Sequence, residues 1–309
     1  ATVTAPDRPG KHPGVVLVAG SGPTDRNWES PLLNGTNGSG RLLAEALASE
    51  GYVTTRYDKR ASGPRAMQNV TQMAGHISLE SHFDELQGAV SHLLQRPDVD
   101  QKRLFALTSS EGAMHVLYYQ SHAGVVPFSG IVLTGAPGRA LCDIANYQVE
   151  SLLSTMPESD DLLARYRALI RKFEEGQPFV PESKLPEFAN NLVGGLSAPV
   201  NQPFSREFWC FRPADYLRQT TVPVLVVIGK KDIQTDWRLD GQALEEAARG
   251  KSNVSFFYPQ NANHVLKHEP RPRETLTPDV AMPNYNGPDA VLDSETLSTV
   301  LDWLGRHAK

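Results

Sequence analysis

Cysteine is scarce: the 309 residues hold only two, Cys142 and Cys210. That excludes a disulfide-stapled scaffold and a Cys-rich zinc site. Long hydrophobic runs are missing. The apolar stretches at 14–20 and 223–229 are strand-sized, too short to span a bilayer. No excess of positive charge exists either, since 30 Lys+Arg face 35 Asp+Glu for a formal net charge of −5. Phosphate contacts need a basic face, so nucleic acid is a poor partner. No G-x-x-x-x-G-K-[ST] is present, and Asp25 stands where G-x-G-x-x-G needs its third glycine, which argues against a nucleotide loop. Internal repeats and low-complexity tracts are absent. The N-terminus carries no charged-then-apolar leader. A soluble, cytoplasmic protein is therefore expected, although a start without Met leaves room for a removed upstream segment. Four Asn-x-Ser/Thr sequons, at Asn34, Asn37, Asn69 and Asn253, read as chance products of polar loops.

What is present suits a sizeable core. Hydrophobic residues make up 40% and charged residues 21%, ordinary values for a globular chain. Residues 14–20 form a β-branched apolar run bounded by Pro13 and Gly20, which predicts a strand buried on both faces. Further strands are expected at 52–57, 103–108, 131–135, 222–229 and 254–258. Between them, apolar spacing predicts helices over 37–51, 82–94 and 111–120, with a last one over 294–307. This alternation implies an α/β fold: a mostly parallel sheet with helices on both faces. Strand patterning stops after Gly138 for about eighty residues. Helices are expected at 142–156, 159–176 and 186–196, and 198–213 reads as irregular and aromatic. The domain reading is a core of 1–139 and 216–309 interrupted by a helical cap at 140–215. Long insertions at the strand C-termini usually serve the ligand site there. Phe204, Phe208, Trp209 and Phe211 are accordingly the candidate substrate-binding residues. Cys142 and Cys210 both fall in the cap; they could pair if close, but sequence gives no distance, and free buried thiols are the expectation.

The chemistry concentrates at strand ends. Leu107-Thr-Ser-Ser110-Glu-Gly112-Ala113 lies between a strand and a helix, where a serine hydroxyl stands exposed above the sheet. The residue two positions on must be small, and Gly112 satisfies this. The G-x-S-x-G pattern is imperfect because Thr108 takes the first glycine position. Asp232 lies just past the 222–229 strand, and His264 on the loop past the next one. The order Ser110, Asp232, His264, each after a strand, is that of a nucleophile, an orienting acid and a base. Asp236 is the substitute acid, and His268 the nearest competing histidine. The Ala19-Gly20-Ser21-Gly22-Pro23 loop after the first clear strand, and Glu111 after the nucleophile, would offer backbone N–H groups to an oxyanion.

These elements resemble the α/β-hydrolase superfamily, in particular a bacterial serine-esterase branch related to the serine aminopeptidases. The resemblance covers nearly the whole chain. It rests on Gly20-Ser-Gly-Pro-Thr-Asp-Arg26, Arg56-Tyr-Asp-Lys-Arg60, Ser110-Glu-Gly112, Asp232 and Asn263-His264. Asn27 stands where that branch usually has a second Asp, and Ala61 where it has Gly. The resemblance implies Ser110, Asp232 and His264 as the triad and the N–H groups of Ser21 and Glu111 as the oxyanion donors, with no metal or organic cofactor. Asp58 and Arg60 are expected in structural ion pairs. The expected reaction is hydrolysis of a small-molecule carboxylic ester through an acyl-enzyme on Ser110. The alternatives are an amide or thioester hydrolase, such as an aminopeptidase, and an inactive binding protein of the same fold. An aminopeptidase would need an anionic site for the substrate ammonium, for which Glu182, Glu187 and Asp215 are candidates. Asp-nucleophile dehalogenases and epoxide hydrolases are disfavoured, because serine holds the nucleophile position. Sequence leaves the oligomeric state open.

Overall fold

A computed structural model describes residues 1–309. Seven strands form one sheet: β1 (Thr2–Thr4), β2 (His12–Val18), β3 (Val53–Arg56), β4 (Val99–Ser109), β5 (Gly130–Thr134), β6 (Val224–Val227) and β7 (Val254–Phe257). Their order is β1-β3-β2-β4-β5-β6-β7. Only β1 runs antiparallel, against β3. β2, β4, β5 and β6 are interior and buried on both faces, which is why their sequences read as continuous apolar runs rather than alternating ones.

The period-2 geometry of a strand splits each run between two cores. Val16 and Val18 pack with Leu86, Val90 and Val116 from the helices Leu79–Leu94 and Gly112–Ser121. Val15 and Leu17 pack on the opposite face with Leu43, Leu47, Trp303 and Leu304 from Ser39–Ser49 and Ser294–His307. Fully burying one such branched side chain contributes about 1.5–3 kcal/mol. Asp293 starts the last helix by accepting from Thr296 N, an N-cap the sequence pattern supplies. The helices Ala66–Met73 and Leu239–Ala247 were not expected. The first spaces Met67, Val70 and Met73 along one face but buries none of them, and the second buries only Leu244 and Ala247 of its apolar side chains, so neither is anchored by a long buried face.

The chain divides into two compact units. The larger comprises Ala1–Met67, Phe83–Gly138 and Pro213–Lys309 and holds the sheet; the smaller comprises Gln68–His82 and Arg139–Arg212. The smaller unit is helical and has its own core. Helices Leu141–Leu153, Ser159–Glu174 and Glu187–Ser197 bury Leu153, Tyr166, Phe173 and Val193 around Trp209. The stretch read as irregular contains a short helix, Phe204–Trp209. That turn returns the chain to the start of Leu141–Leu153 and brings Cys210 to Cys142. The two form a disulfide with Cα atoms 5.3 Å apart across 68 residues, which corrects the expectation of free thiols.

Candidate active site

Ser110 sits between β4 and the helix Gly112–Ser121 with φ of +52°. A non-glycine residue in the left-handed region is strained, and such strain at a strand-to-helix turn lifts the side chain clear of the sheet. Two backbone bonds hold the turn: Ser110 N–H to Thr134 O at 2.8 Å, and Ala113 N–H to Ser110 O at 2.9 Å. A Cβ at Gly112 would stand 2.5 Å from Val18 O and 2.8 Å from Ala19 O, so no larger residue fits. The Thr108 departure has a physical account. Its hydroxyl is buried and donates to Val132 O at 3.2 Å, while its carbonyl accepts from the Thr134 hydroxyl. The larger side chain is thus absorbed by β5.

Asp232 and His264 come together as the chain order suggested. His264 Nδ1–H donates to Asp232 Oδ2 at 2.8 Å, and both residues are buried. The other carboxylate oxygen accepts from the N–H groups of Gln234 at 2.7 Å and Thr235 at 2.9 Å. The carboxylate is therefore fixed in place, and the bond at Nδ1 sets the orientation of the imidazole. The two loops are laced together, since Lys231 N–H donates to Ala262 O at 3.1 Å and a Cβ on Gly229 would overlap that carbonyl. Asp236, the substitute acid, instead accepts from the N–H groups of Arg238 and Leu239 at the start of Leu239–Ala247. His268 pairs with Asp293 at 3.3 Å.

Ser110 and His264 line one cavity of about 180 Å³. Gly20, Ser21 and Gly22 form one wall, and Trp28, Leu33, Val265, Met282 and Tyr285 supply the apolar surface. No Asp, Glu, Lys or Arg lines it. Gly20 presses against the nucleophile turn: a Cβ there would lie 3.2 Å from Ser109 O and from Ser110 Cβ. That contact brings the Ser21 peptide beside Ser110. Glu111 is the N-cap of Gly112–Ser121, where backbone N–H groups point out of the helix.

The remaining candidates lie elsewhere. Trp209 is a core residue of the smaller unit, edge-to-face with Phe173, with its indole N–H on Glu174 Oε1 at 3.1 Å. Phe204, Phe208 and Phe211 stack in sequence, with centroids 4.8 and 5.6 Å apart. Glu182 pairs with Arg165 at 3.3 Å and Asp215 with Arg218 at 2.7 Å, while Glu187 borders a groove within the smaller unit. Asp58 forms an ion pair with Arg26, and Arg60 lies 3.6 Å from Glu85. No three His, Cys, Asp or Glu side chains are grouped to hold a metal ion. No helix is long and apolar enough to cross a membrane. The lining residues Trp28, Met282 and Tyr285 were missed from the sequence; Trp28 lies in the turn two residues past the Gly20–Arg26 motif, and Met282 and Tyr285 belong to the one-turn helix Met282–Asn284 and its cap, too short for a periodic signal.

Comparison with known proteins fits this geometry. No protein-family model matches the chain. Esterase EstD of Thermotoga maritima is 27% identical over 269 residues, covering 85% of this chain but 57% of that protein. The chain thus spans little more than half the length of this curated relative. Among solved structures, proline iminopeptidase of Mycobacterium smegmatis aligns over 99% of this chain and 94% of its own, at 15% identity and a TM-score of 0.54. Est1E of Butyrivibrio proteoclasticus, with ferulic acid bound, aligns over 99% and 92%, at 12% identity and a TM-score of 0.52. 2,6-Dihydroxy-pseudo-oxynicotine hydrolase aligns over 98% of this chain and 62% of its own, at 12% identity and a TM-score of 0.52. The chain has the α/β-hydrolase fold.

Proposed function

We propose that the protein is a serine hydrolase of carboxylic esters, with Ser110 as nucleophile, His264 as general base and Asp232 as the acid that orients it. His264 Nε2 takes the Ser110 proton as Oγ attacks the ester carbonyl. The Ser21 and Glu111 N–H groups hold the developing oxyanion. Collapse of the tetrahedral adduct expels the alcohol, which takes the proton from the imidazolium and leaves the acyl group on Ser110. Water, activated by the same imidazole, then releases the acid. Asp232 stabilises the imidazolium in both steps. The esterase relative supports an ester substrate.

The observation that carries this reading over an aminopeptidase is the uncharged cavity. A substrate ammonium would be desolvated there without a carboxylate to meet it. A volume of about 180 Å³ suits a short acyl or alcohol group. The test is a panel of p-nitrophenyl esters of increasing chain length run beside aminoacyl-anilides, with fluorophosphonate labelling of the same preparation. Turnover of short esters, and one adduct mapped to Ser110, are the expected results. Faster hydrolysis of the anilides, or an adduct on Ser109, would overturn the reading.

A further inference from the structure

Resting on that reading, we infer that Lys59 is a positioning residue for the oxyanion hole, holding both of its donor peptides from behind. Lys59 is buried, three residues past Arg56 at the end of β3, on the same loop as Asp58. Its Nζ donates to the carbonyl oxygen of Gly20. That carbonyl belongs to the peptide unit whose N–H is Ser21's. In a trans peptide the C=O and N–H point in opposite directions. A cation on the carbonyl side therefore orients the plane and sends the N–H the other way. It also draws electron density towards the carbonyl oxygen and makes the N–H a stronger donor.

The same ammonium lies 3.5 Å from Glu111 Oε1, on the residue that carries the second donor N–H. Glu111 Oε1 is held in turn by His115 Nε2 at 3.2 Å, one helical turn on. Lys59 itself is fixed at the backbone, because Ser62 donates to its carbonyl through both N–H at 2.9 Å and hydroxyl at 3.0 Å. Asp58, its neighbour, accepts from Arg26 N–H at 2.9 Å, which pins the loop to the segment that follows Ser21. One cation thus joins the Gly20–Ser21 peptide to the side chain of Glu111, the residue whose N–H must converge on the same oxygen, although the two segments lie about ninety residues apart in sequence. An oxyanion hole works through fixed donors that need no reorganisation during reaction, so such a tie bears directly on rate.

The experiment uses the full chain with Lys59→Met and compares p-nitrophenyl acetate with p-nitrophenyl thionoacetate. Sulfur accepts hydrogen bonds poorly, so a weakened hole slows the oxygen ester more than the thiono ester. The expected result is a fall of about 10- to 100-fold in kcat for the oxygen ester, short of the ~10²–10³ for deleting a donor outright. KM should move less than twofold, and the oxygen-to-thiono ratio of kcat/KM should shrink by about the factor that kcat loses. Both substrates are read on one preparation, so an unfolded fraction cancels from the ratio. Lys59→Gln, an uncharged donor, is read identically and carries the test should the Met variant not accumulate. An unchanged ratio, whether or not total activity drops, overturns the inference and makes Lys59 a structural cation only. Failure of the ester-hydrolase reading shows differently, as a wild type without ester turnover or as turnover that survives Ser110→Ala, and would remove both.

Discussion

Gly135 leaves the space that the His264 imidazole fills. It follows β5 with φ of +54°, and a Cβ there would lie 3.2 Å from both Cε1 and Nδ1 of the ring. The carbonyl of Gly135 also accepts from the Thr235 hydroxyl at 2.9 Å, on the loop that carries Asp232. One residue thus meets the base directly and the acid's loop through a hydrogen bond. Gly135→Ala adds a left-handed alanine, at about 1–2 kcal/mol, and pushes the ring by a few tenths of an ångström. We expect kcat to fall about tenfold or more, because small displacements of a general base are costly. KM should hold. Steady-state kinetics beside thermal unfolding checks this; a variant with lowered Tm but full kcat would show that the ring has room to shift.

The strain at Ser110 predicts an unusual pair of variants. Both Ser110→Ala and Ser110→Gly should be inactive. Alanine keeps the penalty of φ +52°, whereas glycine adopts that conformation freely. Glycine costs some stability through its unfolded-state entropy, yet the relief is larger. Ser110→Gly should be more stable than Ser110→Ala by about 0.5–1 kcal/mol. Urea denaturation of the two inactive proteins measures it, and a Ser110→Ala protein more stable than Ser110→Gly would mean that the turn stores no strain.

Arg56 is a buried cation without a hydrogen-bonded carboxylate. Its guanidinium reaches Asn27 Oδ1 at 2.6 Å and Thr4 Oγ1 at 3.4 Å, and burial pushes its pKa below the ordinary value. Asn27 is the position where the resembling branch has Asp. Asn27→Asp should turn a neutral hydrogen bond into a charge-assisted one and raise stability by about 1 kcal/mol near neutral pH. The new carboxylate would have a depressed folded pKa. Its contribution should be complete above the unfolded value and vanish as pH falls through the folded one. Denaturation at pH 7 and pH 3 reads both halves. A variant less stable at pH 7 would mean that repulsion from Asp25 outweighs the gain.

How far the sequence could be read depended on the range of the determinants. β2 and β4–β6 announce themselves because burial on both faces demands runs of Val, Leu and Ile. That Ser110 and His264 share a cavity and that His264 meets Asp232 could be anticipated because each lies just past such a run. Lys59 sat within a motif noticed for other reasons; its reach to Gly20 and Glu111 depends on contacts across 39 and 52 residues, which no local periodicity records. The same limit hid the pairing of Cys142 with Cys210. Trp209 shows the opposite failure. An aromatic cluster in an irregular stretch suggested a ligand surface, but a small helical unit also needs large side chains to build a core, and Trp209 serves that need. Composition alone does not separate the two uses.

Lys267 should give stability an alkaline signature. Its ammonium is buried, donates to Asn37 O and Ala290 O at 2.9 Å each, and lies near Arg41. Burial, reinforced by the Arg41 charge, lowers its pKa to about 8. Below that value both folded and unfolded chains carry the proton, and the fold bears the cost of a desolvated cation. Between about pH 8 and the unfolded value near 10.4, the unfolded chain binds more protons at this site than the folded one. Stability from this group must therefore rise with pH across that window. Other lysines and tyrosines titrate there too, so the quantity to measure is the difference between wild type and Lys267→Met. Methionine removes two hydrogen bonds to carbonyls as well as the charge, which sets an offset but no slope. The difference should move in favour of wild type by about 1–2 kcal/mol between pH 7.5 and pH 10, a discounted share of the roughly 1.4 kcal/mol per pKa unit. Guanidinium denaturation at high ionic strength suppresses the surface charges and leaves the buried one. A flat difference across the window would mean that the two carbonyls keep Lys267 charged throughout.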